Sequence, residues 1–91
     1  MSDQIQNLIM IAKETVQGFD VDVPLFVKNN LNSFIDTIVS APNEVGLEKA
    51  IKALRHHIAD QYDWQAEYCN KIEQICDRAE AIRKGIQRES I

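Results

Sequence analysis

Apolar residues recur every three or four positions along most of this chain, and the recurrence is interrupted at two places. Ile5, Leu8, Ile9, Ala12, Val16 and Phe19 follow the i, i+3/i+4, i+7 spacing of one helix face. This predicts a first helix over about 3–18. Ser2 is the expected N-cap, and Asp3 beside it suits the positive end of the helix dipole. Gly18 is the expected C′ residue, because glycine accepts positive φ. Met10 and Ile11 widen the apolar face, so this helix should touch more than one neighbour.

The period then changes. In "GFDVDVPL", Phe19, Val21, Val23 and Leu25 alternate with Asp20 and Asp22 until Pro24. Alternation is a strand signal, but proline demotes it, and the chain offers no second strand to pair with. An extended linker is expected, with its apolar side tucked against the helices. A second helix should begin near Pro24, capped by Asp22 and running to about residue 40. Val27, Leu31, Phe34, Ile35 and Ile38 form its apolar face. Pro42 enforces a break, since the residue before proline avoids the α region, and Asn43 can cap the next helix.

No glycine or proline occurs from Leu47 to Lys84. Leu47, Ile51, Leu54, Ile58, Gln61, Gln65, Tyr68, Ile72, Ile75, Ala79, Ile82 and Ile86 fall on a strict heptad spacing, and only the two glutamines are polar. Glu48–Lys52, Glu67–Lys71 and Glu80–Lys84 are i,i+4 pairs that support an exposed face. The expected fold is therefore all-α: a single domain, 1–91, with two short helices (about 3–18 and 24–40) and one long, heptad-patterned helix (about 44–86). Such a helix would span roughly 60 Å, against roughly 24 Å for each short one. Either it folds back near Asp60–Asp63, giving four helices, or it stays continuous or gently bent and a second subunit covers the rest. Kinks usually need glycine or proline, and none is present, so the continuous helix in a homo-oligomer, a dimer by preference, is expected. Ile86 and Ile91, apolar so near the terminus, would be covered in part by that second subunit.

Composition narrows the function classes. Apolar residues make up 45% of the chain and charged residues 26%, both ordinary for a globular protein. The net charge of −4 sits wholly in residues 1–44. An acidic front half argues against duplex nucleic acid as a partner, which calls for a basic footprint. No run approaches the roughly 18 apolar residues of a membrane span, and the N-terminus lacks the basic region of a secretory signal. A cytoplasmic protein is expected. Cys69 and Cys76 stand about 10 Å apart along one helix, too far to bridge each other, and read as buried thiols.

The stretch "RHHIADQYDWQAEYC" (55–69) concentrates the reactive side chains. His56 and Asp60, His57 and Asp60, and Asp60, Asp63 and Glu67 have helical spacings that can hold metal. The recognised signatures, H-E-x-x-H, C-x-x-C and paired E-x-x-H, are absent. No metal and no cofactor is expected. Catalysis needs a pocket and an oriented base, and a helical chain with no Gly-rich loop promises little concavity; no enzyme is expected.

A binding surface fits the spacing better. Lys49, Lys52, His56, Asp60, Asp63 and Glu67 form one stripe, basic in its first half and acidic in its second, centred on Ile58. Two antiparallel copies about a two-fold axis at Ile58 would oppose Lys49 to Glu67, Lys52 to Asp63 and His56 to Asp60, the self-complementarity of a C2 interface. Trp64 and Tyr68 lie beside it as anchors. The leading expectation is a small non-enzymatic protein acting through protein–protein contacts as an adaptor, regulator or inhibitor. The alternative is a small-ligand site, with Trp64 stacking a nucleotide base and Lys49, Lys52, Arg55 and His56 meeting its phosphates.

Overall fold

The computed structural model describes residues 3–61 and 65–89. Four helices follow in order: α1 (Asp3–Gln17), α2 (Leu25–Ser40), α3 (Glu44–Gln61) and α4 (Glu67–Glu89). Among the described residues there is no strand, and no helix is long and apolar enough to cross a membrane.

The main correction concerns the long helix. Residues 44–89 as one helix would run about 69 Å, yet the longest dimension of the molecule is 43 Å. Instead α3 ends at Gln61 and α4 opens at Glu67, where the Cys69 amide donates to the Ala66 carbonyl. The two helices lie antiparallel: Arg55 on α3 faces Asp77 on α4 at 3.6 Å, and Glu44 meets Arg83 at 3.9 Å. The energetics explain why no glycine or proline is needed. Interrupting a helix forfeits a few backbone hydrogen bonds, each worth about 1 kcal/mol net. Folding back lets Leu47, Ile51, Leu54 and Ile58 pack with Ile72, Ile75 and Ala79 of the same chain, all buried. Each such side chain contributes about 1.5–3 kcal/mol. The break falls where the seam turns polar, and Gln65 is exposed.

The other pairs are antiparallel too. Asn30 and Thr37 of α2 share a crevice with His57 and Ala50 of α3, which fixes their opposed directions. Thr15 and Gln4 of α1 neighbour Lys71 and Gly85 of α4 in the same sense. Each helix thus packs on two others in a closed four-helix ring. One end gathers the α1–α2 and α3–α4 connections; the other gathers the α2–α3 connection and the outer ends of α1 and α4.

Helix boundaries follow local chemistry. Ser2 lies outside the described residues. Gly18 takes the C′ place, its amide donating to Glu14, but without the positive φ expected of it. Pro24, not Asp22, occupies the N-cap position of α2, with extended ψ and no capping hydrogen bond from its own side chain. At the next junction Ala41 is extended, as its place before Pro42 requires. Asn43 does cap α3: its Oδ1 accepts the Gly46 amide at 3.1 Å. Gly46 is needed for closeness, since a Cβ there would stand 1.8 Å from the Ala41 carbonyl oxygen.

The core joins all four helices, from Ile5, Leu8, Ile9 and Ala12 through Val27, Leu31, Phe34, Ile35 and Ile38 to the α3 and α4 seam. Ile86 is half-buried against that core within its own chain; Ile91 lies outside the described residues. Met10 is exposed rather than part of the apolar face. In the linker, Phe19 and Val23 tuck inward as expected, but Val21 and Leu25 point out, 96% and 71% exposed.

Candidate functional site

The fold-back divides the expected stripe. Lys49, Lys52, His56 and Asp60 lie exposed on α3, while Glu67 opens α4. Ile58, the expected two-fold centre, is buried in the core. Tyr68 is half-buried against the same core. Asp63 and Trp64 lie outside the described residues. Two of these cations are engaged within the helix: Lys52 Nζ is 3.0 Å from Glu48, and His56 Nε2 is 3.0 Å from Asp60. The straight stripe that would oppose a copy of itself about Ile58 is not formed by these helices.

What folding brings together is a different set. Lys52, Arg55 and His56 line a groove of about 470 Å³ between α3 and α4, with Glu48 and Ile51 from α3 and Glu80 and Arg83 from α4. Arg83 was invisible to spacing along the chain, because its place beside Arg55 depends on the reversal. Lys49 faces away, into a crevice with Asp36, Thr37 and Ser40 of α2. Of the five expected ligand residues, Lys52, Arg55 and His56 therefore converge, Lys49 does not, and Trp64 lies outside the described residues.

Every cation of the groove has a carboxylate at hand. Arg83 is the most enclosed, with its side chain 19% exposed; it grips Glu80 through Nε and Nη2 and reaches Glu44 at 3.9 Å. That hydrogen bond holds the Glu80 carboxyl below its ordinary pKa. Lys52 has Glu48, His56 has Asp60, and Arg55 has Asp77. An anionic ligand would have to displace these partners. Glu80 pairs with Arg83 at i+3 rather than with Lys84 as spacing suggested.

The remaining reactive groups are placed for packing. Cys69 and Cys76 are buried on α4, as expected, and no disulfide joins them. Burial raises the Cys76 thiol to about 11, partly opposed by the nearby Arg55 guanidinium. The Nδ1 atom of His57 is buried at the α2–α3 contact with no hydrogen-bond partner among the described residues. Among the described residues no group of three or more His, Cys, Asp or Glu side chains could hold a metal ion.

A second surface was not anticipated. At the bundle end carrying the α1–α2 and α3–α4 connections, Val21, Leu25 and Phe26 are 96%, 71% and 40% exposed. A turn closed by the Val23 amide on the Asp20 carbonyl presents Val21 at its tip. Asp20, Asp22, Asp60 and Glu67 are all exposed at this end. Residues 17–26, 58–61 and 65–70 contain no Lys or Arg. Among the described residues the end thus carries four carboxylates, of which Asp60 has His56 at 3.0 Å and Glu67 has Lys71 one helical turn on, while Asp20 and Asp22 have no Lys or Arg in their own segment. The alternating "FDVDVPLF" pattern was the available signal. Its reading as a tucked linker failed because only alternate apolar residues, Phe19 and Val23, find the core.

A scan against protein-family models found no match for this chain, and searches of curated proteins and of solved structures found none either.

Proposed function

We propose that this chain is a small non-enzymatic interaction protein, an adaptor, regulator or inhibitor that works through its outer surface on another protein. The observation that carries the reading is the exposure of Val21 and Leu25 beside a core that closes within one chain. Apolar side chains held out at a bundle end are expected where another protein supplies the missing contact. The heptad seam no longer calls for a second subunit. A homodimer now rests on the outer charges of α3, and exposed ion pairs contribute only about 0–1 kcal/mol each.

The test is retention of partners by the tagged protein in lysate of its own source. Val21→Ser/Leu25→Ser should abolish retention of a defined partner, and Met10→Ser, an exposed apolar change on α1, should not. Equal retention by both variants contradicts the reading. Light scattering on the same samples reports self-association.

A second reading has the α3–α4 groove in its favour. Lys52, Arg55, His56 and Arg83 meet there, as a small anionic ligand such as a nucleotide would require. The carboxylates already seated on those cations weigh against it. A thermal shift with millimolar nucleotide, lost in Arg55→Ala, would favour it; no shift would remove it.

A further inference from the structure

We propose that the occupant of the exposed end is a basic amphipathic segment of another protein, one that sets apolar side chains against Val21 and Leu25 and places Lys or Arg beside Asp20 and Asp22. This deepens the interaction reading and rests on it.

Three properties of the end select that partner. The first is the mixture itself. Val21 and Leu25 stand out among carboxylates that are exposed and, at residues 20 and 22, directly adjacent in the chain. A segment with apolar anchors at helical spacing and cations flanking them satisfies both parts at once. The second is the sign. Asp20 and Asp22, with no Lys or Arg from residue 17 to 26, give the turn that presents Val21 a negative field, whereas Asp60 has His56, Glu67 precedes Lys71 by one helical turn, and the α3–α4 groove balances its charges pair by pair. That field attracts a cationic segment and repels polyanions and anionic bilayers. The third concerns a second copy. Two copies meeting through this turn about a two-fold axis would oppose Asp20 and Asp22 to the same pair, with no Lys or Arg of the turn to relieve them. Self-association through this face is disfavoured, although the apolar part alone would permit it.

The supporting framework is firm enough to present such a surface. Phe19 and Val23 anchor the turn in the core on either side of Val21, and Val27, just beyond Leu25, is fully buried. Val21 and Leu25 can therefore be replaced without touching the core.

The experiment uses the full chain, labelled with 15N, and a synthetic helical peptide of about 18 residues with leucines on one face and lysines on the other. A peptide of the same composition, scrambled to destroy the apolar face, and a leucine/glutamate peptide serve as controls. The Leu/Lys peptide should shift the amides of residues 19–26 and 58–60, and the controls should bind at least about tenfold more weakly. Val21→Ser/Leu25→Ser should weaken binding about tenfold or more at unchanged charge. Asp20→Asn/Asp22→Asn should weaken it several-fold and flatten its salt dependence. Shifts confined to the α3–α4 groove, equal binding of the scrambled peptide, or indifference to the Val21/Leu25 change would each overturn the proposal. So would shifts of residues 19–26 on concentrating the protein alone, which would make a second copy the occupant. If the peptide fails while lysate retention is still lost in Val21→Ser/Leu25→Ser, the interaction reading stands and the basic partner is wrong. If retention is unaffected as well, both fall.

Discussion

Arg55 Nη2 on α3 stands 3.6 Å from Asp77 Oδ1 on α4, and the same guanidinium lies near enough to the buried Cys76 thiol to oppose the rise of its pKa. One arginine thus links the two helices. The outer pair is half exposed on the arginine side and more so on the aspartate side, so it contributes little to stability, about 0.2–1 kcal/mol. Asp77→Asn should therefore lower stability by no more than about 1 kcal/mol in urea unfolding.

Cys76 should be chemically quiet. Its thiol is raised from 9.0 to about 11, chiefly by burial, so at pH 8 almost no thiolate forms in the native protein. A disulfide reagent at pH 8 should leave Cys76 intact in the folded protein and react with it promptly in denaturant. The linkage has a sign: a raised thiol pKa means stability that is complete below pH 9.0 and is lost as pH rises toward about 11. Urea midpoints should fall across that interval, and fall less in Cys76→Ala.

Glu80 acts in the opposite direction. Its carboxyl is held below the ordinary 4.5 by the Arg83 hydrogen bond. Its contribution is present above that value and is lost as pH falls through the depressed pKa. Glu80→Gln should be less stable than the parent at pH 7, and the difference should shrink on acidification below about pH 4, followed by circular dichroism.

The α2–α3 junction should be intolerant of one methyl group. Gly46→Ala places a Cβ against the Ala41 carbonyl, which is backbone and cannot rotate aside. A loss of about 1–3 kcal/mol is expected in urea unfolding. Asn43→Ala, which removes the cap on the Gly46 amide, should cost about 1 kcal/mol.

How much of this was legible in the chain depended on whether a signal was local. Helices α1 and α2 were, because Ile5, Leu8 and Ile9, and Leu31, Phe34 and Ile38, repeat within a few turns. So was the Asn43 cap. The α3–α4 reversal was not: Leu54 and Ile72 obey the same heptad rule whether they face a second subunit or each other. Only the polar interruption at Gln61 and Gln65 hinted at the answer. The groove inherits that blindness, since Arg83 joins Arg55 only through the reversal. The exposed end was misread for another reason. Alternation reports two faces, and which one meets the core is set by the helices on either side.

The outward position of Val21 and Leu25, and the closed core behind them, depend on α3 and α4 folding back within one chain. Spin labels at Lys52→Cys and Lys84→Cys, both exposed, measure this directly by pulsed electron resonance. Antiparallel helices with axes about 8–10 Å apart should give a label separation below about 30 Å. It should persist on dilution with unlabelled protein. A separation near about 48 Å, the length of an unbroken helix between those positions, would contradict the fold-back.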